Sequence, residues 1–246
     1  MTHSAARPLS RFMMLILTAF VATLYGCGNG DTQAPAGAKS SSAAPSVLKK
    51  MTIDVTGDLN LHYEATGEDV AVGFLPGKEP GANWLTLSGN QDKDGDSNSV
   101  SIGPILGFSF DNPSQKHIEL LFQGGRVEVT HGESNASYDT GAYYLYFDKD
   151  KTGANSNVKL DFSRVEKLHS SNKLLMRYRM VGTFQFNAAF GPEQPNEACS
   201  KEAATYAAEH GERHPGFDAK LCEAKSVVAK GTFDLTQDFP VRGEAG

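Results

Sequence analysis

Apolar and polar residues alternate with period two along most of the chain beyond residue 50. Met51, Ile53, Val55, Gly57, Leu59, Leu61, Tyr63 and Ala65 hold the odd positions, and their even neighbours Thr52, Asp54, Thr56, Asp58, Asn60, His62, Glu64 and Thr66 are all polar. A strand turns successive side chains to opposite faces, so the pattern predicts one long half-buried strand, bent at Gly57. The same rule puts Leu174, Met176, Tyr178, Met180, Gly182, Phe184, Phe186, Ala188 and Phe190 on one face, and Arg177, Arg179, Thr183, Gln185 and Asn187 on the other. Gly182 in such a run marks a bulge or a close approach of another backbone.

Turn residues extend the pattern. Ile118, Leu120 and Phe122 precede Gly124-Gly125, and Val127 and Val129 follow. A two-residue loop there would pair Phe122 with Val127 and Leu120 with Val129, which predicts a hairpin. A second hairpin is expected between Val158–Leu168 and Lys173–Phe190 through His169-Ser170-Ser171-Asn172, with a bulge near Ser163-Arg164 where Val165 falls out of phase. Tyr143 to Phe147 is aromatic on both faces and reads as a central strand; Val227, Ala229, Gly231, Phe233 and Leu235 read as a last one. Residues 191–225 break the rule. Asn196 suits an N-cap and Gly211 a helix end, with Cys199, Ala203, Tyr206, Ala207 and His210 on one helical stripe; a second short helix is expected over Phe217 to Ala224. Eight to twelve strands without β-α-β alternation predict an all-β protein, an antiparallel β-sandwich (alternatively a barrel) over residues 50–240 with a small helical insert, and a tail at 241–246.

The first fifty residues follow another logic. Arg7 and Arg11 precede the 13-residue apolar run Phe12 to Leu24, and no acid occurs before Asp31. A bilayer-spanning helix needs about 20 apolar residues. The run therefore fits the core of an export signal. Leu24-Tyr25-Gly26-Cys27 resembles the lipobox of bacterial lipoproteins, although Tyr25 departs from the small or branched residue usual there. The resemblance implies cleavage after residue 26 and lipidation of Cys27, with palmitate among the acyl chains. Gly28, where an Asp would retain a lipoprotein at the inner membrane, implies the outer membrane by the same analogy. The alternative is an ordinary secretory signal cut near Ala34-Pro35-Ala36 or Ala36-Gly37-Ala38, giving a secreted or periplasmic protein. Residues 27–49 are rich in Gly, Ala, Ser and Pro, a composition too poor in large apolar groups to fold, and read as a tether.

The chain has 246 residues, a formal charge of −6 and 3 Cys. Loss of residues 1–26 would remove Arg7 and Arg11 and no acid, taking −6 to −8. An acidic body argues against nucleic acid as a partner, since phosphate binding wants a basic face. In an oxidising envelope Cys199 and Cys222 should form a disulfide across the insert. A zinc site with His210 and His214 is the competing reading, but the paired C-x₂-C spacing is missing. Val181-Gly182-Thr183-Phe184-Gln185-Phe186 and Lys230-Gly231-Thr232-Phe233-Asp234-Leu235 are similar to the repeated G-T-F strands that end small β-sandwich lipoproteins of unassigned function; the similarity supports the fold and implies no site.

Candidate chemistry is sparse. Asp92, Asp94 and Asp96 alternate in one loop, and Asp148 and Asp150 in another; each is a candidate Ca²⁺ loop, although neither meets the EF-hand pattern, and the plainer reading of each is a solvated turn. His62, His117, His131 and His169 are scattered over polar faces and loops, His131-Gly132-Glu133-Ser134 among them, and there is no G-x-S-x-G elbow. Trp84 and Tyr144, with Tyr143 and Tyr146, are candidates for a sugar-stacking platform, against the plainer reading of aromatic core. The expectation is a non-enzymatic, lipid-anchored binding or structural module of the cell envelope, held by the membrane, with an envelope protein or a glycan as partner and no required cofactor. The alternative is a carbohydrate-binding module or glycan hydrolase with a Ca²⁺-stabilised loop.

Overall fold

The computed structural model describes residues 48–75, 84–116, 118, 120, 124–148, 157–191, 195–211 and 216–240. The signal, lipobox and nearly all of the tether, as well as His117, Phe122, Asp150, His214 and the tail, lie outside them. Within the described residues the alternating segments form β1 (Lys49–Gly57), β2 (Leu61–Thr66), β3 (Val70–Leu75), β4 (Trp84–Lys93), β5 (Asp96–Ile105), β6 (Gln115–Lys116), β7 (Gly125–His131), β8 (Ser134–Asp139), β9 (Lys159–Leu168), β10 (Leu175–Phe190) and β11 (Lys225–Pro240); the helices are α1 (Thr140–Phe147) and α2 (Glu197–His210). All strand pairs are antiparallel and belong to one open sheet, in the order β2-β1-β11-β10-β8-β7-β5-β4-β3, with β9 on β10 and β6 on β9. The protein is therefore mostly antiparallel β, built from one sheet.

The ends of that sheet meet through side chains. The Tyr63 hydroxyl on β2 donates to the Gly89 carbonyl on β4 at 3.0 Å. A Cβ at Gly89 would lie 2.7 Å from Ile53, 3.3 Å from Ala65 and 3.4 Å from Met51. The buried faces of β1, β2, β4, β5, β10 and β11 so share one core that includes Met51, Ile53, Leu87, Ile102, Phe186 and Phe233. Burial pushes the Tyr63 phenol well above its ordinary pKa.

The strand expected over 51–66 is instead a hairpin. The chain reverses between Gly57, whose φ of +121° suits glycine, and Leu61, and pairs Met51 with Ala65, Ile53 with Tyr63 and Val55 with Leu61. Odd residues pair with odd residues, so both arms keep their apolar side chains on one face and the alternation runs through the turn unbroken. The Gly124-Gly125 hairpin does not form. Val127 lies between Val100 and Tyr138, Val129 between Asn98 and Ala136, and Leu120 bridges Ile105. Tyr143 to Phe147 is part of a helix rather than a strand, because the Asp139 carboxylate accepts from the Ala142 N–H and caps it.

The long strands follow the alternation. β9 and β10 pair as the expected hairpin, but through a longer connection, since the first pair is Leu168 with Arg177 and Lys173 and Leu174 belong to the turn; Ser163 is the unpaired bulge residue between Val181–Arg164 and Gly182–Phe162. Leu174 is the exception: it precedes β10 and is 74% exposed. The two G-T-F triplets turn out to be cross-strand neighbours. Gly182 pairs with Phe233, Thr183 with Thr232 and Phe184 with Gly231. Each phenylalanine ring covers the other strand's glycine, so a Cβ at Gly182 would strike the Asp161 carbonyl oxygen and the Phe233 ring, and one at Gly231 the Thr52 carbonyl oxygen and the Phe184 ring.

The insert matches its expected outline at α2. The Asn196 side chain accepts from the Cys199 N–H, and the Gly211 N–H donates to the Ala207 carbonyl. Of the expected stripe, Cys199 is buried, Ala203, Tyr206 and Ala207 are half-buried and His210 is exposed. Phe217 to Ala224 forms turns rather than a second helix; the Asp218 carboxylate accepts from Lys220 and Leu221, and Glu223 at φ +54° leaves the helical region. Cys199 and Cys222 are joined in a disulfide, and with Tyr146 they form a small second core beside α1.

Candidate functional site

The aspartates at 92, 94 and 96 frame the β4–β5 turn. Asp94 and Gly95 have φ of +55° and +89°, as a two-residue type I′ turn requires. Lys93 then pairs with Asp96 and Asp92 with Ser97. Asp92 and Asp94 are exposed; Asp96 pairs with the neighbouring hairpin's His131, 2.8 Å from Nδ1. His131 in turn belongs to the β7–β8 turn, where it pairs with Ser134. Asp148 follows α1 directly. Among the described residues no group of three or more His, Cys, Asp and Glu side chains is arranged to hold a metal ion.

The aromatic candidates are apart in kind. Tyr144 is buried at 6% exposure inside α1, so its ring offers no face to a sugar; Tyr146 is buried against Phe217, with ring centroids 5.1 Å apart. Tyr143 stacks on Phe147 at 5.3 Å. Trp84 is 44% exposed at the start of β4, opposite Leu75 of β3. His62 meets Asp54 on the outer face of β1 and β2, at 2.5 Å, and His169 is exposed in the β9–β10 turn. His210 stacks on Tyr206 at 4.0 Å.

Two features carried no sequence signal. The first is a cleft of about 360 Å³ lined by Leu106, Gly107, Asn112, Ser114, Gln115, Lys116 and Ile118. That size falls at the lower end of small-ligand pockets. Gln115 fixes its wall. Its side chain is 5% exposed, accepts from the Ser109 N–H at 2.9 Å, and donates to the Ser109 and Asn112 carbonyls at 2.7 and 3.2 Å. The Pro113 carbonyl accepts from Val165 and so ties the same loop to β9. Among the described residues the cleft offers amide, hydroxyl and ammonium groups, a set that orients a small polar or anionic molecule. No local pattern announces it, because its residues come from an irregular loop.

The second is a pair of charge clamps on the outer face of β10 and β11. Arg177 forks onto Asp238 through two bonds of 2.7 Å, and Arg179 onto Asp234 through bonds of 2.9 and 2.7 Å. Hydrogen bonds from Arg179 and Arg177 hold the Asp234 and Asp238 carboxyls below the usual carboxylate range. Each clamp is a bidentate pair between neighbouring strands and accounts for two of the guanidinium's N–H groups.

No helix among the described residues is long and apolar enough to cross a membrane. Comparison with protein-family models, with curated proteins and with solved structures found no match.

Proposed function

We propose that the protein is a lipid-anchored module of the bacterial cell envelope whose β body binds or scaffolds rather than catalyses. The observation that carries this is the leader: Arg7 and Arg11, the apolar run from Phe12 to Leu24, then Gly26-Cys27. The disulfide supports it. Of the 3 Cys in the chain, Cys199 and Cys222 are joined to each other, which suits an oxidising compartment and leaves Cys27 as the remaining thiol for a thioether-linked lipid. Two or three acyl chains at ~0.8 kcal/mol per buried CH₂ hold a protein on a membrane far longer than one chain can. Gly28 favours the outer membrane. We read the curled sheet as a sandwich-type body, with β4 packed on β1 and β2. The cleft beside Gln115 and Lys116 is where a small polar or anionic ligand would sit.

Fractionation of cells tests the anchor: the wild-type chain should sediment with membranes and Cys27→Ala should not. Sedimentation of Cys27→Ala with membranes would contradict it. The carbohydrate reading rests on Trp84 once Tyr144 is seen to be buried, and the calcium reading on Asp92, Asp94 and Asp96 or on Asp148 with Asp150, which lies outside the described residues. A glycan array that shows binding abolished by Trp84→Ala would revive the first; a melting shift on adding Ca²⁺ would revive the second.

A further inference from the structure

Four of the exposed large apolar side chains gather toward one end of the sheet. Leu75 is 66% exposed and lies opposite Trp84, at 44%, where β3 and β4 meet. Leu75 follows Phe74, whose ring packs on Phe239 at 5.1 Å. Phe239 pairs with Met176, and Pro240 with Leu175, so Leu174, at 74% exposure, sits at the same end. Leu48 is 44% exposed just before β1, with its carbonyl accepting from Thr236, a few residues up the same strand. Two other exposed apolar side chains, Phe147 and Leu221, belong to the helical region beyond the opposite end of β10.

The path of the chain gives this end a meaning. β1 runs away from it, pairing Lys49 with Leu235 and Gly57 with Val227, so Leu48, where the described chain begins, lies toward the apolar side. Cys27 lies 21 residues upstream. That length spans at most about 75 Å even fully extended, and joining the body to a surface turns weak contacts into intramolecular ones. Lys49 flanks Leu48 and Lys173 flanks Leu174. Apolar side chains with lysines beside them, and a tryptophan on the same rim, are the composition of a surface that settles into the headgroup boundary of a bilayer.

We propose that this end, through Leu75, Trp84 and Leu174, docks into the lipid surface to which Cys27 fastens the chain. The inference rests on the anchor proposed above. Docking would hold the body at a set orientation, with the α2 end turned away from the membrane.

Trp84 is the single tryptophan, so its fluorescence reports this end alone. The full lipidated chain is reconstituted into vesicles of phosphatidylethanolamine and phosphatidylglycerol, with or without bromine on the acyl chains. Docking predicts quenching of Trp84 by brominated lipid of about twofold and shielding from aqueous iodide. The double variant Leu75→Asp, Leu174→Asp, at two exposed positions, should lose most of that quenching while still floating with the vesicles. Flotation of wild type and of Cys27→Ala reads the anchor separately. If wild type floats through Cys27 but Trp84 stays open to iodide and unquenched, the docking inference is overturned and the anchor stands. If wild type fails to float and is unquenched, both are overturned. Burial of Trp84 in native envelopes but not in protein-free vesicles would also overturn it, assigning the patch to a protein partner.

Discussion

Gly182 and Gly231 each lie under the phenylalanine ring of the other's triplet, with a backbone carbonyl closing the remaining space. Neither a carbonyl of a paired strand nor a buried ring can move aside cheaply. Gly182→Ala and Gly231→Ala are each expected to destabilise the fold by about 1–3 kcal/mol, the usual scale of overpacking, measured by urea denaturation. A stability unchanged within error would show that the rings have room to shift. The clamps set a second expectation. Asp234 and Asp238 titrate lower in the folded chain than in the unfolded one, so their contribution is present above the ordinary carboxylate range and is lost as pH falls through their depressed values. About a quarter of each carboxylate remains exposed, at 28% and 25%, so salt and solvent weaken the effect. Thermal melting between pH 6 and pH 3 should fall less steeply in Asp234→Asn, Asp238→Asn than in wild type. The glycine of a G-T-F repeat was legible in the sequence as a close approach. The ring that causes it was not, because pairing of the two triplets depends on a strand neighbour some fifty residues away.

Among the elements, the insert is the most local and was the most legible. Its cap, its end and its bridge all follow from chemistry within the insert: an amide side chain reaching an N–H three residues on, a glycine after the last turn, and two thiols that close one loop. Removing the bridge with Cys199→Ser, Cys222→Ser should cost roughly 3 kcal/mol by loop entropy for a closed loop of this length. The effect should fall on α2 and the 216–224 turns first, seen as faster amide exchange there than in β10 and β11. Uniform loss of protection across the sheet would show instead that the small core of Tyr146, Cys199 and Cys222 is needed by the whole body. Other elements were misread, some through distant partners and some through local features. Alternation cannot tell a straight strand from a hairpin when equal parities pair, as at Met51–Ala65. The α1 cap is as local as that of α2, Asp139 accepting from the N–H three residues on, and the aromatic run after it reads as a strand only when that cap is overlooked. The valines at 127 and 129 suit any apolar neighbour, and Val100 and Tyr138 take the place that Phe122 was expected to fill at 127.

Over the molecule as a whole, the class of fold was readable because one buried face forces period two on every long strand. The contact of β4 with β1 and β2 was not, because it lies at a glycine, Gly89, whose neighbours are far off in sequence. The cleft beside Gln115 was equally invisible, being made by a loop without periodicity. The proposed function depends on the address that the leader implies: a chain cut before Cys27, acylated there, and bridged between its two other cysteines. Intact-mass and peptide mass spectrometry of the protein purified from membranes tests this at once. The account predicts an N-terminal peptide beginning at diacylglyceryl-modified Cys27 and a linked pair of peptides containing Cys199 and Cys222. A mature chain that begins near residue 36 with no lipid, or one that retains Met1, would contradict it.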